Sequence, residues 1–191
     1  MDIYDSSVPV LTGALANLAN VLKKGAAHAK HKGIDESVFL NARLAPDMFS
    51  LTRQVQVATD MATRGMDRLG GGEPVSTPDT ETTFKALQAR VSAAQKKIKA
   101  YKRADLEGAD SRSINMQLPI GKLELNGLEL VNMWIVPNVY FHCVAVYNIL
   151  RHNGVELTKA DFLGEGLAKR MSKGKQPAVA KKSAAKRAAK R

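Results

Sequence analysis

The chain of 191 residues contains one cysteine, Cys143. A lone cysteine excludes an internal disulfide and a thiolate-built zinc cage, and it fits a reducing compartment. Every apolar run is interrupted before the ~20 residues that a membrane span needs, and the opening MDIYDSSVPV is acidic where a secretory leader would be basic. A cytoplasmic protein with no membrane partner is therefore expected. Internal repeats are lacking too, so one main domain should carry the core. The last absence is local: residues 169–191 contain no acidic and no aromatic residue.

That local absence accounts for the net charge of +11. Ten basic residues fall in 169–191, leaving nineteen basic against eighteen acidic over residues 1–168. The body is close to neutral and only the tail is basic. With Val179 as its one branched aliphatic, SKGKQPAVAKKSAAKRAAKR cannot offset its ordering entropy by burial, and it is predicted to be disordered in isolation. Lys181, Lys182, Lys186, Arg187, Lys190 and Arg191 stand in an alanine background. Such charges can meet phosphates and release counterions, giving sequence-independent nucleic-acid binding that weakens with salt. A solvated solubility tail is the alternative.

Four segments of the 1–168 body carry apolar residues at steps of three and four, the signature of core-facing bundle helices. The first aligns Val8, Leu11, Leu15, Leu18 and Leu22, with Ser6 or Ser7 as N-cap and Gly33 as stop. The second follows LNARLAP, opens at Asp47 behind Pro46, and aligns Met48, Leu51, Val55, Ala58, Ala62, Met66 and Leu69 before Gly70 to Gly72 end it. The third begins near Asp79 or Thr80 and aligns Phe84, Leu87, Val91, Ala94, Ile98 and Tyr101. Between Ser111 and Asn126 the period changes to two, with Ile114, Met116 and Leu118, then Leu123 and Leu125, around a PIG turn. That predicts a short β-hairpin lying against the bundle. The fourth helix runs from about Gly127 to His152, with Pro137 as a kink and Gly154 as stop. The fold class is thus all-α: a four-helix bundle with a hairpin before its last helix and a basic tail.

In the fourth helix Asn138 and His142 interrupt the face made by Ile135, Ala145 and Ile149. A buried imidazole or amide costs several kcal/mol if unpaired, so the bundle must supply a partner, a ligand or a metal. Gln54 and Asp60 on the second helix are the candidate partners. His142 with Asp60 is the candidate metal pair; Gln54, Asn138, His142 and Arg53 are the candidate ligand site. Arg53, like Arg43, can serve an anion or simply close an ion pair across a loop. His152, ten residues beyond His142, cannot share a metal with it on one helix and complements the helix dipole instead. His28 and His31 have chelating spacing, but neighbouring Lys30 and Lys32 disfavour a cation there. Cys143 points about 100° away from His142 and reads as packed and inert.

LNARLAPDMFSLTRQVQVATDMA, DTETTFKALQARV, PNVYFHCVAVYNILRHNGV and DFLG, in that order from Tyr4 to Gly164, resemble a bacterial family of unknown function within the DinB/YfiT-like superfamily. The resemblance implies an antiparallel four-helix bundle with a long crossover, often a homodimer. Many members of that superfamily bind a divalent metal through one histidine of the second helix and an HxxxH pair on a later one, and some are metal-dependent thiol transferases. Here only His142 has a counterpart. Val146 stands where the second histidine of the pair belongs, and Asp47 to Leu69 contains no histidine.

Two readings of function follow. One is a small-ligand-binding or non-catalytic bundle tethered to nucleic acid by its tail. The other is a metal-dependent transferase or hydrolase built on a degenerate site around His142, with a bound water or thiol in open positions.

Overall fold

The computed structural model describes residues 2–119 and 121–164; the tail readings from Lys181 to Arg191 lie outside them. Helix α1 spans Ile3–Lys32. Asp2, rather than Ser6 or Ser7, caps it, because the Asp2 carboxylate accepts the Asp5 N–H (2.9 Å) and leaves Ser7 free to donate to the Ile3 carbonyl from a buried position (2.7 Å). Gly33 ends the helix in the left-handed region (φ 64°), as glycine permits. A short helix α2, Glu36–Leu40, follows without having been legible in the periodicity. Helix α3 spans Leu51–Leu69 and starts later than Asp47, since the Ser50 hydroxyl supplies the cap. Helix α4, Phe84–Lys99, is likewise capped by Thr83 and not by Asp79 or Thr80. Its first amide is also held by the Glu36 carboxylate of α2 (2.8 Å).

Strands β1 (Ser113–Leu118) and β2 (Gly121–Asn126) pair antiparallel in the register Ile114↔Leu125 and Met116↔Leu123. Ile114 and Met116 are buried, so the hairpin rests one face on the bundle. Asn126 and Glu129 then form a reciprocal capping box that launches α5, Gly127–His152. A side chain on Gly127 would meet the Ala109 carbonyl at 1.7 Å, so only glycine allows this chain approach. Pro137 leaves its mark as a π turn: residues Leu130–Ile135 widen so that the Val136 N–H reaches the Val131 carbonyl. A proline cannot donate to the preceding turn and crowds its carbonyls, and the wider turn accommodates both defects. Helix α6, Lys159–Leu163, closes the described chain against α1 through Lys24 and Asp161 (2.5 Å).

The helix directions follow from which residues meet. Gln54 meets His142 and Gly65 meets Ile135, so α3 and α5 run antiparallel. Gly25 abuts Phe84 while Arg103 pairs with Asp2 and Asp5, so α1 and α4 do too. Gln56 with Glu81, Thr59 with Arg90 and Asp67 with Lys97 make α3 and α4 parallel. Gly25 beside Leu150 and His28 beside Gly154 make α1 and α5 parallel. The bundle is therefore up-down-down-up, and residues 70–83 must climb back along α3 to begin α4 at the far end. Nineteen residues of α3 rise about 28 Å, a distance that fourteen extended residues cover with slack.

The core is continuous from Leu11, Leu15 and Leu22 through Leu51, Val55 and Met66 to Val139, Val146 and Ile149. Helix α5 is long and apolar enough to span a membrane, contrary to the expectation from interrupted runs. Its inner face, however, is bundle core: Val139, Val146, Ile149 and Leu150 are fully buried against protein.

Candidate functional site

Helix α3 presents polar side chains to two neighbours. Toward α5, Gln54 reaches His142, whose Nδ1 lies 2.6 Å from Gln54 Oε1. His142 is only 7% exposed. An Nδ1–H donating to the amide oxygen fixes the neutral tautomer that leaves Nε2 as acceptor. Gln54 in turn donates from Nε2 to the Phe49 carbonyl (3.3 Å), where the chain enters α3. Burial, seconded by the nearby Arg53 charge, holds the His142 pKa below its ordinary value. Phe141 covers the ring edge-on at a centroid distance of 5.2 Å.

Asn138 does not join this pair. Its amide donates to the Trp134 carbonyl one turn back (2.7 Å), beside the π turn. Gln54 and His142 meet each other directly and Asn138 turns away from both, so these three side chains do not converge on one point. Arg53 leans over the Phe49 ring, pairs with Asp79 across the loop, and borders a cavity of about 370 Å³ with Gln56 and Glu81. Arg43 closes the preceding loop onto the Met48 carbonyl (2.5 Å).

Toward α4 the chemistry is ionic. Arg90, whose side chain is 3% exposed, donates to Asp60 (2.7 Å), the Thr59 hydroxyl (2.8 Å), the Pro78 carbonyl (2.9 Å) and Glu81 (3.1 Å). Asp79 stands 3.2 Å away. Burial alone would raise the Glu81 carboxyl, yet hydrogen bonds from Gln56, its own amide and Arg90 hold it below the usual carboxylate range. Lower down, Asp67 accepts from Lys97 (2.7 Å), the Tyr101 hydroxyl (3.1 Å) and the Val75 N–H (3.2 Å). Burial first, and then Asp67, push the Tyr101 hydroxyl up to about 12. Both clusters pin the 70–83 crossover to the bundle.

The expected metal pair is therefore separated. Asp60 lies six residues from Gln54 on α3, about 240° around the helix, and its carboxylate is taken by Arg90. Among the described residues no group of three or more His, Cys, Asp or Glu side chains is placed to hold a metal. A catalytic zinc-type site needs three protein ligands, so the donor set around His142 does not fit the metal that the superfamily resemblance implies. His28 spends its ring edge-on against Phe39 (5.8 Å), while His31 and His152 are exposed. Cys143 is buried, which pushes its thiol up to about 12 and keeps it inert.

Sequence reasoning missed Arg90 and Asp67. The signal for Arg90 was present: it stands three residues after Leu87 and four before Ala94, on the flank of the apolar stripe. A charge in that position calls for partners, and DTETT just upstream supplies them.

Fold and site together define a DinB-like helical bundle in which His142 of the last long helix is paired with Gln54 of α3. A solved structure, that of a DinB family member protein from Shewanella denitrificans, is 35% identical, with a TM-score of 0.78 over 93% of this chain and 100% of that one. Residues 3–163 match a domain of unknown function, DUF1993, and the chain belongs to that family. None of the curated proteins matches it.

Proposed function

We propose that this chain is a non-catalytic DinB-like module that binds rather than turns over its partners. The carrying observation is the closed pair of His142 and Gln54 at 2.6 Å, with Asp60 drawn away to Arg90. One imidazole cannot build a three-ligand catalytic centre, which disfavours a metal-dependent transferase or hydrolase. Elemental mass spectrometry of untagged protein, never exposed to a nickel column, tests this. Metal well below one equivalent is expected; near-stoichiometric metal that disappears in His142→Ala would overturn the reading.

Its working form in this proposal is a cytoplasmic homodimer. Helix α5 exposes Met133 (67%), Phe141 (59%), Tyr140 and Val144 as an outward apolar stripe, and Leu130 to Leu150 contains no Asp, Glu, Lys or Arg. A charge-free face matches a second copy of itself without any complementary partner. Light scattering after size exclusion should give twice the chain mass, falling to one with Phe141→Glu; monomeric wild-type protein at tens of micromolar would refute the dimer. The basic tail, outside the described residues, is assigned to salt-dependent nucleic-acid tethering. DNA binding should vanish on truncation after Ala168; equal binding by truncated and full-length protein would sink that assignment.

A further inference from the structure

A cavity of about 260 Å³ lies where the third helix, the hairpin and the π turn converge. From α3 come Arg64 and Arg68, from β1 Met116 and Leu118, and from the π turn Leu130 and Trp134. The two arginines are four residues apart and so share a helix face. Among the described residues neither one forms an ion pair. Asp60 also borders the cavity, but its Oδ1 is 2.7 Å from Arg90.

The two arginines carry positive charge with no carboxylate paired to them among the described residues, although Arg68 Nη1 donates to the Arg64 backbone carbonyl (3.4 Å). Arg64 Nε is sealed from solvent without a hydrogen-bond partner, the sole such side-chain atom among the described residues. A buried donor of this kind costs free energy until something accepts from it. Arg68, partly buried, has its pKa lowered first by burial and then by the like charge of Arg64, against weaker help from Asp67 and Glu73. Opposite these guanidinium groups the walls are mainly apolar and aromatic, with the Gln117 amide of β1 among them. The volume exceeds the ~150 Å³ that accepts a benzene ring and falls below the ~300 Å³ where drug-sized pockets begin.

We propose that this cavity binds a small organic carboxylate with an apolar or single-ring body, its anionic group on Arg64 and Arg68 and its body between Trp134 and the β1 side chains. A guanidinium pair suits a planar carboxylate, and the apolar walls would be left unused by a bare inorganic ion. The binding rests on the non-catalytic reading above, but at a site separate from His142, so the metal assay and the following test fail independently.

Trp134 is the only tryptophan; it borders this cavity and a second one beside Leu123, Leu125 and Met133, so a shift in its emission is assigned to this cavity by its loss in the arginine double variant. Full-length protein is titrated with phenylacetate, with neutral 2-phenylethanol and with inorganic phosphate. Phenylacetate should shift Trp134 fluorescence saturably, with the other two weaker by about tenfold or more, the scale of a lost charge-assisted contact. The double variant Arg64→Gln, Arg68→Gln should lose phenylacetate affinity by a similar factor while keeping wild-type helicity by circular dichroism. A flat phenylacetate titration, or phenylethanol binding equally well, overturns the proposal. Phosphate binding as tightly as phenylacetate also overturns it, by making this an inorganic-anion site. If the double variant loses its helicity, the ratio of the three probes on wild-type protein decides.

Discussion

The two polar faces of α3 solve the same problem in opposite ways. Toward α5, one neutral imidazole and one amide satisfy each other at 2.6 Å and leave no charge in the core. Toward α4, Arg90 is buried with Asp60, Asp79 and Glu81 around it, and the arrangement holds only because several acceptors surround one cation. The neutral pair looks like chemistry in the sequence yet is closed; the ionic cluster looks like surface charge yet holds the crossover that makes the fold. Buried charge is tolerated where the topology requires an otherwise unsupported strand of chain to be tied down.

The sharpest way to break this contrast is Arg90→Met. It leaves Asp60 and Glu81 without their cation and frees the crossover, and about 3–5 kcal/mol of stability should be lost in urea unfolding, with faster proteolysis between Gly72 and Thr82. A loss no larger than that of a surface substitution would mean the crossover holds itself. Asp67→Asn comes next. It weakens the hold on Lys97 and Tyr101 and should cost about 1–3 kcal/mol, while the Tyr101 hydroxyl titrates closer to its ordinary value. An unchanged denaturation midpoint would show that Val75 is anchored elsewhere.

The smallest effect belongs to the neutral pair. Because the folded His142 pKa is lowered, the unfolded chain takes up a proton first as pH falls. His142 therefore contributes stability that is complete above about pH 6.5 and declines toward pH 5, with a slope of at most one proton, about 1.4 kcal/mol per pH unit. Melting curves from pH 7.5 to 5 should show that decline, and His142→Gln should flatten it. A variant with the wild-type slope would assign the pH dependence to another group.

Much of the bundle was legible because helix stripes are local. Leu51, Val55, Ala58, Ala62 and Met66 announce α3 whatever surrounds them, and Ile114 with Met116 announce β1. Helix starts were less legible. Asp2, Ser50 and Thr83 won the caps over Ser6, Asp47 and Asp79 because competing caps differ by no more than about 1 kcal/mol and tertiary contacts choose among them. Gln54 was recoverable as a partner for His142 because both sit on stripes that must face one another.

The amino-acid order alone determined four amphipathic helices, one hairpin, a glycine stop at Gly33 and the absence of a complete histidine triad. Those depend on spacing and residue type within a few turns. Only the tertiary structure decided that Asp60 belongs to Arg90, that Asn138 turns back onto Trp134, and that Arg64 and Arg68 share a cavity with the single tryptophan. Each is a contact across elements, and its energy depends on which helix lies beside which. Connectivity sets that arrangement: parallel α3 and α4 require a climbing crossover, and the crossover requires a buried cation to hold it.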